Sequence, residues 1–170
     1  MNKDDNYKLI SLDISTSCTG YAIWINGVYS SSGVLYRDIK FDELKNIIIM
    51  GESILDLLSK EQPDHIVIED TFCGKRMLSS KALDRLHGIV ISYAISNPFT
   101  SIDYINVLHW RKLLDFPSNP TLSKLGIQNK TKYLKFLSIE RAKRYKASLS
   151  DDNEADAINI GDAFLLSFSQ

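Results

Sequence analysis

Cysteine is scarce in this chain: Cys18 and Cys73 are the only two in 170 residues. Neither sits in a C-x-x-C pair, and the three histidines form no cluster with them, which excludes a zinc ribbon and a disulfide-stapled scaffold. The two thiols fit a reducing compartment. There is no repeat and no Pro/Gly/Ser-rich linker. No apolar run approaches the roughly 20 residues that span a bilayer, and MNKDDNYK at the start has no apolar signal core. The expectation is therefore a cytoplasmic protein with no membrane partner. A basic excess is missing too: the formal net charge is -1, so any nucleic-acid surface must come from local clustering. What remains is 44% hydrophobic and 24% charged residues, enough for one globular domain over 1–170 with a real core.

The apolar patterning gives the elements. Residues 8–14 (KLISLDI) predict a first strand. STSCTG (15–20) predicts a turn, with Gly20 available for positive φ. YAIWI (21–25) and VYSSSGVLY (28–36) flank Asn26-Gly27, a strong hairpin signal, so the chain opens as an antiparallel meander. Residues 41–60 predict a helix with Leu44, Ile47, Ile48, Ile54, Leu55 and Leu58 at helical spacing. HIVIE (65–69) is a fourth strand, a helix follows over 77–96, and SIDYINV (101–107) is a fifth strand. VLHWRKLLD returns to helix, 115–128 is a loop, and 129–146 and 152–168 are further helices. This predicts an α/β fold: a mixed five-stranded sheet, its first three strands antiparallel, with helices on both faces in the ribonuclease H-like order.

Three acids stand out in this frame. Asp13 lies inside an apolar strand, and Glu69 ends another on the face opposite Ile66 and Ile68. Asp156 lies in a helix of small residues (Ala155, Ala157, Gly161, Ala163) able to approach the sheet closely, with Asp152 and Asn153 one turn earlier on its face. A carboxylate among apolar residues is costly unless something compensates it. Oxygen donors with no His or Cys favour Mg²⁺ or Mn²⁺ over zinc. Each acid alone has a plainer role: Asp13 as a turn cap, Glu69-Asp70 as a solvated strand end, and Asp151, Asp152 and Glu154 as a helix cap with its dipole complement.

A second cluster is basic. KTKYLKFLSIERAKRYK (130–146) holds seven Lys or Arg against one acid, with Tyr133, Phe136 and Tyr145 interleaved. Lys130, Lys132, Lys135, Arg141, Lys143 and Arg144 are candidates for phosphate contacts, and the plainer alternative is a solvated helix face. Lys75, Arg76, Lys81 and Arg85 form a possible second patch.

The stretches LDISTSCTGYAIW, IVIEDTF, LSSKALDRLHGIVISYAI and DDNEADAINIGDA resemble the RuvC family of Holliday-junction resolvases, most of all its phage-encoded branch. The resemblance spans nearly the whole chain. It implies a metal-dependent, structure-selective endonuclease that nicks four-way and other branched DNA symmetrically in a bacterial or phage-infected cytoplasm. It implies catalytic carboxylates at Asp13, Glu69, Asp156 and Asp152, with two Mg²⁺ ions, or Mn²⁺ as substitute, between them. Asn153 stands where the family has Asp or His, so Asp152 or Asn153 completes the set. The resemblance also places Phe72 near the junction centre and Arg111, Lys112, Lys130 and Lys132 near the scissile phosphate. It implies a homodimer paired through the helix at 77–96, with Leu83, Leu86, Ile89, Val90, Tyr93 and Ala94 divided between the sheet and a partner. Two other functions fit parts of the pattern. One is a branched-DNA-binding module with weak or no cleavage. The other is an actin-like nucleotide-binding domain, against which the chain's length and eight glycines argue, so no nucleotide cofactor is expected.

Overall fold

The computed structural model describes residues 7–37, 41–70, 77–117 and 129–168, without the side chains of 77–80. Phe72, Cys73, Lys75 and Arg76 lie outside the described residues. The strands are β1 (Lys8–Asp13), β2 (Cys18–Ile25), β3 (Val28–Tyr36), β4 (His65–Glu69) and β5 (Ser101–Ile105). The helices are α1 (Glu43–Glu61), α2 (Met77–Ser96), α3 (Val107–Leu113), α4 (Lys130–Ala142) and α5 (Asp152–Ser167). The sheet order is β3-β2-β1-β4-β5, with β1–β2 and β2–β3 antiparallel and β1–β4 and β4–β5 parallel. The mixed sheet expected from the sequence is therefore the observed one.

β1 is the central strand, covered on both faces, which is why it reads as an almost unbroken apolar run. Ile10, Leu12 and Ile14 join Ile66 and Ile68 in a core with α1 and α2. Leu9 and Val67 point the other way, into a core with α3, α4 and α5. In the β2–β3 hairpin Asn26 (φ 53°) and Gly27 (φ 79°) both take positive φ, as a tight two-residue turn requires.

Three local expectations change. The inner face of α1 is Ile47, Met50, Ile54, Leu57 and Leu58, while Leu44 and Ile48 face outward. β5 stops at Ile105 because the Asn106 side chain accepts from Leu108 N (2.9 Å) and caps α3. Gly20 is not a positive-φ turn residue but lies within β2. The turn before it is closed by side chains instead: Ser15 Oγ accepts from Cys18 N (3.0 Å), and Thr19 Oγ1 donates to Ser15 O (3.0 Å).

α5 decides where the site lies. Ala155, Ala157, Ile158 and Ala163 are wholly buried against the sheet. Ser11 Oγ of β1 donates to Ala157 O at 2.7 Å. A side chain at Gly161 would collide with the Trp24 ring and with Ser11. The small residues thus bring the helix backbone down onto β1 and β2. Among the described residues no helix is long and apolar enough to cross a membrane.

Candidate active site

β1 and β4 run parallel in the register Leu12↔Ile68. Asp13 and Glu69 are the next residues on each, so both carboxylates leave the same carboxyl edge of the sheet, where ligands of open α/β sheets bind. Asp13 also pairs with Gly20 across β2. At Gly20 the first turn of α5 touches the sheet: a Cβ there would lie 2.0 Å from Asn153 O. This contact sets Asp152 and Asp156 above the two strand carboxylates.

Electrostatics tie the four acids together. Burial pushes the Asp13 carboxyl well above the usual carboxylate range, and the negative charges of Asp156, Glu69 and Asp152 push it further, against a smaller opposing pull from Lys135. Burial likewise raises Glu69, opposed by the hydrogen bond from Trp110. Burial raises Asp156, opposed by the Ser138 hydroxyl and by Arg111. Each acid other than Asp13 is held by a neighbour. Trp110 Nε1 donates to Glu69 Oε2 at 2.8 Å. Ser138 Oγ donates to Asp156 Oδ1, and Lys135 Nζ donates to Asp152 Oδ2. Asn153 faces elsewhere, with Nδ2 donating to Cys18 Sγ at 3.1 Å. Asp151 caps α5, accepting from Asn153 N and Glu154 N.

So arranged, no three carboxylate, imidazole or thiol groups among the described residues stand close enough to enclose one ion. The donor chemistry nonetheless fits a hard divalent cation. The acids are all oxygen donors, and the charges of Asp156, Glu69 and Asp152 penalise ionisation of Asp13, a penalty that bound positive charge would relieve. Cys18, a soft donor close to these acids, is kept a neutral thiol. Burial, then Asp151, Asp13 and Asp152, raise it to about 11.

The basic candidates fall into two groups. Arg111 stacks on the Trp110 ring (4.9 Å to the centroid), has a buried Nε with no hydrogen-bond partner, and acts on both Glu69 and Asp156. Lys112, Lys130 and Lys132 are exposed nearby on α3 and α4, and Lys135 reaches the acids directly. The rest of the run does not form one continuous phosphate-facing surface. Arg141 and Arg144 both donate to the buried Asp162, and Lys143 pairs with Glu140. Tyr145 is half-buried against the core, ring-packed on Trp24 (5.1 Å) and Tyr29 (5.4 Å), with its hydroxyl on Asp162 Oδ1 at 2.6 Å. Tyr145→Phe is expected to cost about 1.5–3 kcal/mol, read as a lower urea midpoint. Trp110, Ser138 and Asp162 carry no local sequence signal, because their partners lie on other elements.

On α2, Leu86, Val90 and Tyr93 pack on the sheet, while Ile91 and Ile95 face outward.

No known protein-family profile matches the chain, and no curated protein sequence does. Solved structures do match. Thermus thermophilus RuvC in complex with Holliday junction substrate aligns with TM-score 0.69 at 10% identity, covering 95% of this chain and 96% of that one. The yeast mitochondrial Holliday junction resolvase aligns with TM-score 0.58 at 13% identity, covering 92% and 77%. The fowlpox virus resolvase, in complex with substrate Holliday junction DNA, aligns with TM-score 0.56 at 18% identity, covering 96% and 99%. With its central parallel pair, its antiparallel opening meander and α5 crossing them, the chain has the ribonuclease H-like fold shared by these Holliday junction resolvases.

Proposed function

We propose that the protein is a metal-dependent, structure-selective endonuclease that resolves four-way DNA junctions, and acts on related branched DNA, by symmetric nicking. The carrying observation is that four acids from two strands and a helix share one charged, half-buried edge of a fold also found in resolvases complexed with junction DNA. Asp13, Glu69, Asp156 and Asp152 would hold a pair of Mg²⁺ ions, with Mn²⁺ as substitute, and such a pair supplies positive charge to an attacking water and to the leaving oxygen. Asp152 is favoured over Asn153 because its charge acts on Asp13 while the Asn153 amide turns to Cys18.

The chain's own residues do the rest. Arg111, held over the Trp110 ring beside Glu69 and Asp156, offsets charge gathering on the phosphate. Lys112, Lys130 and Lys132 track flanking phosphates, which sets position and not base sequence. Two symmetric cuts need two active sites, which a twofold homodimer supplies, and the outward Ile91 and Ile95 of α2 suit its interface.

The test is a labelled four-way junction beside three-way and linear DNA of the same arms, with Mg²⁺. Paired nicks in opposed strands of the four-way substrate are expected, with linear duplex spared. Equal cutting of the linear duplex would refute junction selectivity, and binding without cutting would reduce the protein to a branched-DNA-binding module. Junction affinity should fall by about 0.9 log units per log of salt for each phosphate neutralised, and a flat salt response would exclude the lysines of α3 and α4 as the phosphate surface.

A further inference from the structure

Two of the acids receive the same treatment from different helices. The Trp110 indole of α3 is 0% exposed and gives its single proton to Glu69 Oε2. Ser138 of α4 is 1% exposed and gives its proton to Asp156 Oδ1. Both donors are closed to solvent, so each has its carboxylate as the partner for its proton. The direction of the Ser138 proton is fixed by Asn159, also 0% exposed. Asn159 Nδ2 lies 3.0 Å from Ser138 O and 2.8 Å from Ser138 Oγ. A carbonyl can only accept, so the amide nitrogen faces Ser138 and donates to it. Ser138 Oγ therefore receives the amide hydrogen, and its own hydrogen goes to Asp156. A helical serine ordinarily returns its hydroxyl to the carbonyl four residues earlier; this one reaches across to α5 instead.

We propose that Trp110 and Ser138 are positioning residues, which pin one oxygen each of Glu69 and Asp156 and so fix both carboxylates at the edge they share with Asp13, with Asn159 locking the Ser138 hydroxyl. This inference rests on reading those acids as ligands of a hard divalent ion. Outer partners of this kind set ligand orientation and typically contribute 10–100-fold in metal affinity or activity. Neither donor touches DNA or metal; each works through a carboxylate. The pinning also keeps each acid from swinging out to pair with a lysine, as Asp152 does with Lys135.

The experiment is direct Mn²⁺ titration by calorimetry on the whole chain and on Ser138→Ala and Trp110→Phe. Circular dichroism and metal-free junction binding serve as controls. Each variant should bind Mn²⁺ about 10-fold more weakly or worse and should need correspondingly more Mg²⁺ for half-maximal cleavage, and Ser138→Ala, which leaves Arg111 on its ring, should keep its junction affinity. Trp110→Phe also loses core volume, so Ser138→Ala decides the matter if the tryptophan variant unfolds. Folded Ser138→Ala with parental Mn²⁺ affinity overturns the positioning role. So does an affinity loss that appears only together with lost helix signal. A parent chain that takes up no Mn²⁺ overturns the active-site reading itself, and this inference with it.

Discussion

Asp13→Asn should abolish junction cleavage, leave junction binding intact and make the metal-free protein more stable. Removing an outer partner of a metal ligand costs about 10–100-fold in affinity or activity. Removing the acid at the centre of the set must cost more, so a loss beyond about 100-fold is expected in a labelled-junction assay with Mg²⁺. Binding is expected to persist because the lysines and Arg111 are untouched. Full activity in this variant would end the proposed chemistry.

The stability half has a definite sign. In the folded chain the Asp13 carboxyl holds its proton more tightly than in the unfolded chain, first through burial and then through Asp156, Glu69 and Asp152. Ionising it therefore weakens the fold. The stability it contributes is complete below its unfolded value of about 4 and is lost as pH rises toward the raised folded value. At neutral pH and without divalent ions the asparagine variant escapes that penalty. Relief of such functional-site strain commonly gives about 0.5–2 kcal/mol, or ~1–8 °C in melting temperature for a chain of this size. The gain should shrink near pH 4. Mg²⁺ should raise the parent's melting temperature and leave the variant's unmoved. A variant less stable than its parent at pH 7 in chelator would contradict the crowded-charge account.

What the sequence made legible follows a physical rule. Asp13 and Glu69 stood out because an acid at the end of an apolar strand violates a local pattern. The Asn26-Gly27 hairpin was legible because its backbone demand is met within two residues. The small residues of α5 pointed to close packing before the surface they pack against was known. Features that depend on a distant partner were not legible. Arg141, Arg144 and Tyr145 look in sequence like part of a phosphate-binding face, yet Asp162, nearly two turns beyond Asp156 on α5, draws all three to itself. Trp110 reads as an ordinary helix residue until β4 brings Glu69 beneath its indole. Gly20 is the sharpest case, since Ser-Thr-Gly composition signals a turn while the reason for the glycine arrives only when α5 folds over it.

Gly20→Ala should therefore disable the site without changing any of its acids. The added carbon would sit 2.0 Å from Asn153 O, 2.4 Å from Asn153 C and 2.9 Å from Glu154 N. All three are backbone atoms, so no side-chain rotation relieves the overlap. Either β2 bends away or the first turn of α5 lifts, and the Asp151 cap and the close approach at Gly161 both resist the lift. Overpacking typically costs 1–3 kcal/mol, and a rigid backbone clash belongs at the upper end, about 3 kcal/mol or more. That corresponds to a melting temperature lower by roughly 6–12 °C. Lifting α5 also carries Asp152 and Asp156 away from Asp13 and Glu69, and a displacement of about 1 Å at a reacting centre can cost ~100-fold in rate. Gly51→Ala is the matched control. Its new carbon meets the tip of Ile89, with Cδ1 at 2.4 Å, on the opposite face of the sheet. That tip can rotate, so less than about 1 kcal/mol is expected, with cleavage unchanged. If Gly20→Ala melts and cleaves like Gly51→Ala, α5 does not rest on β2 at that point, and the route by which Asp156 reaches the strand carboxylates is wrong.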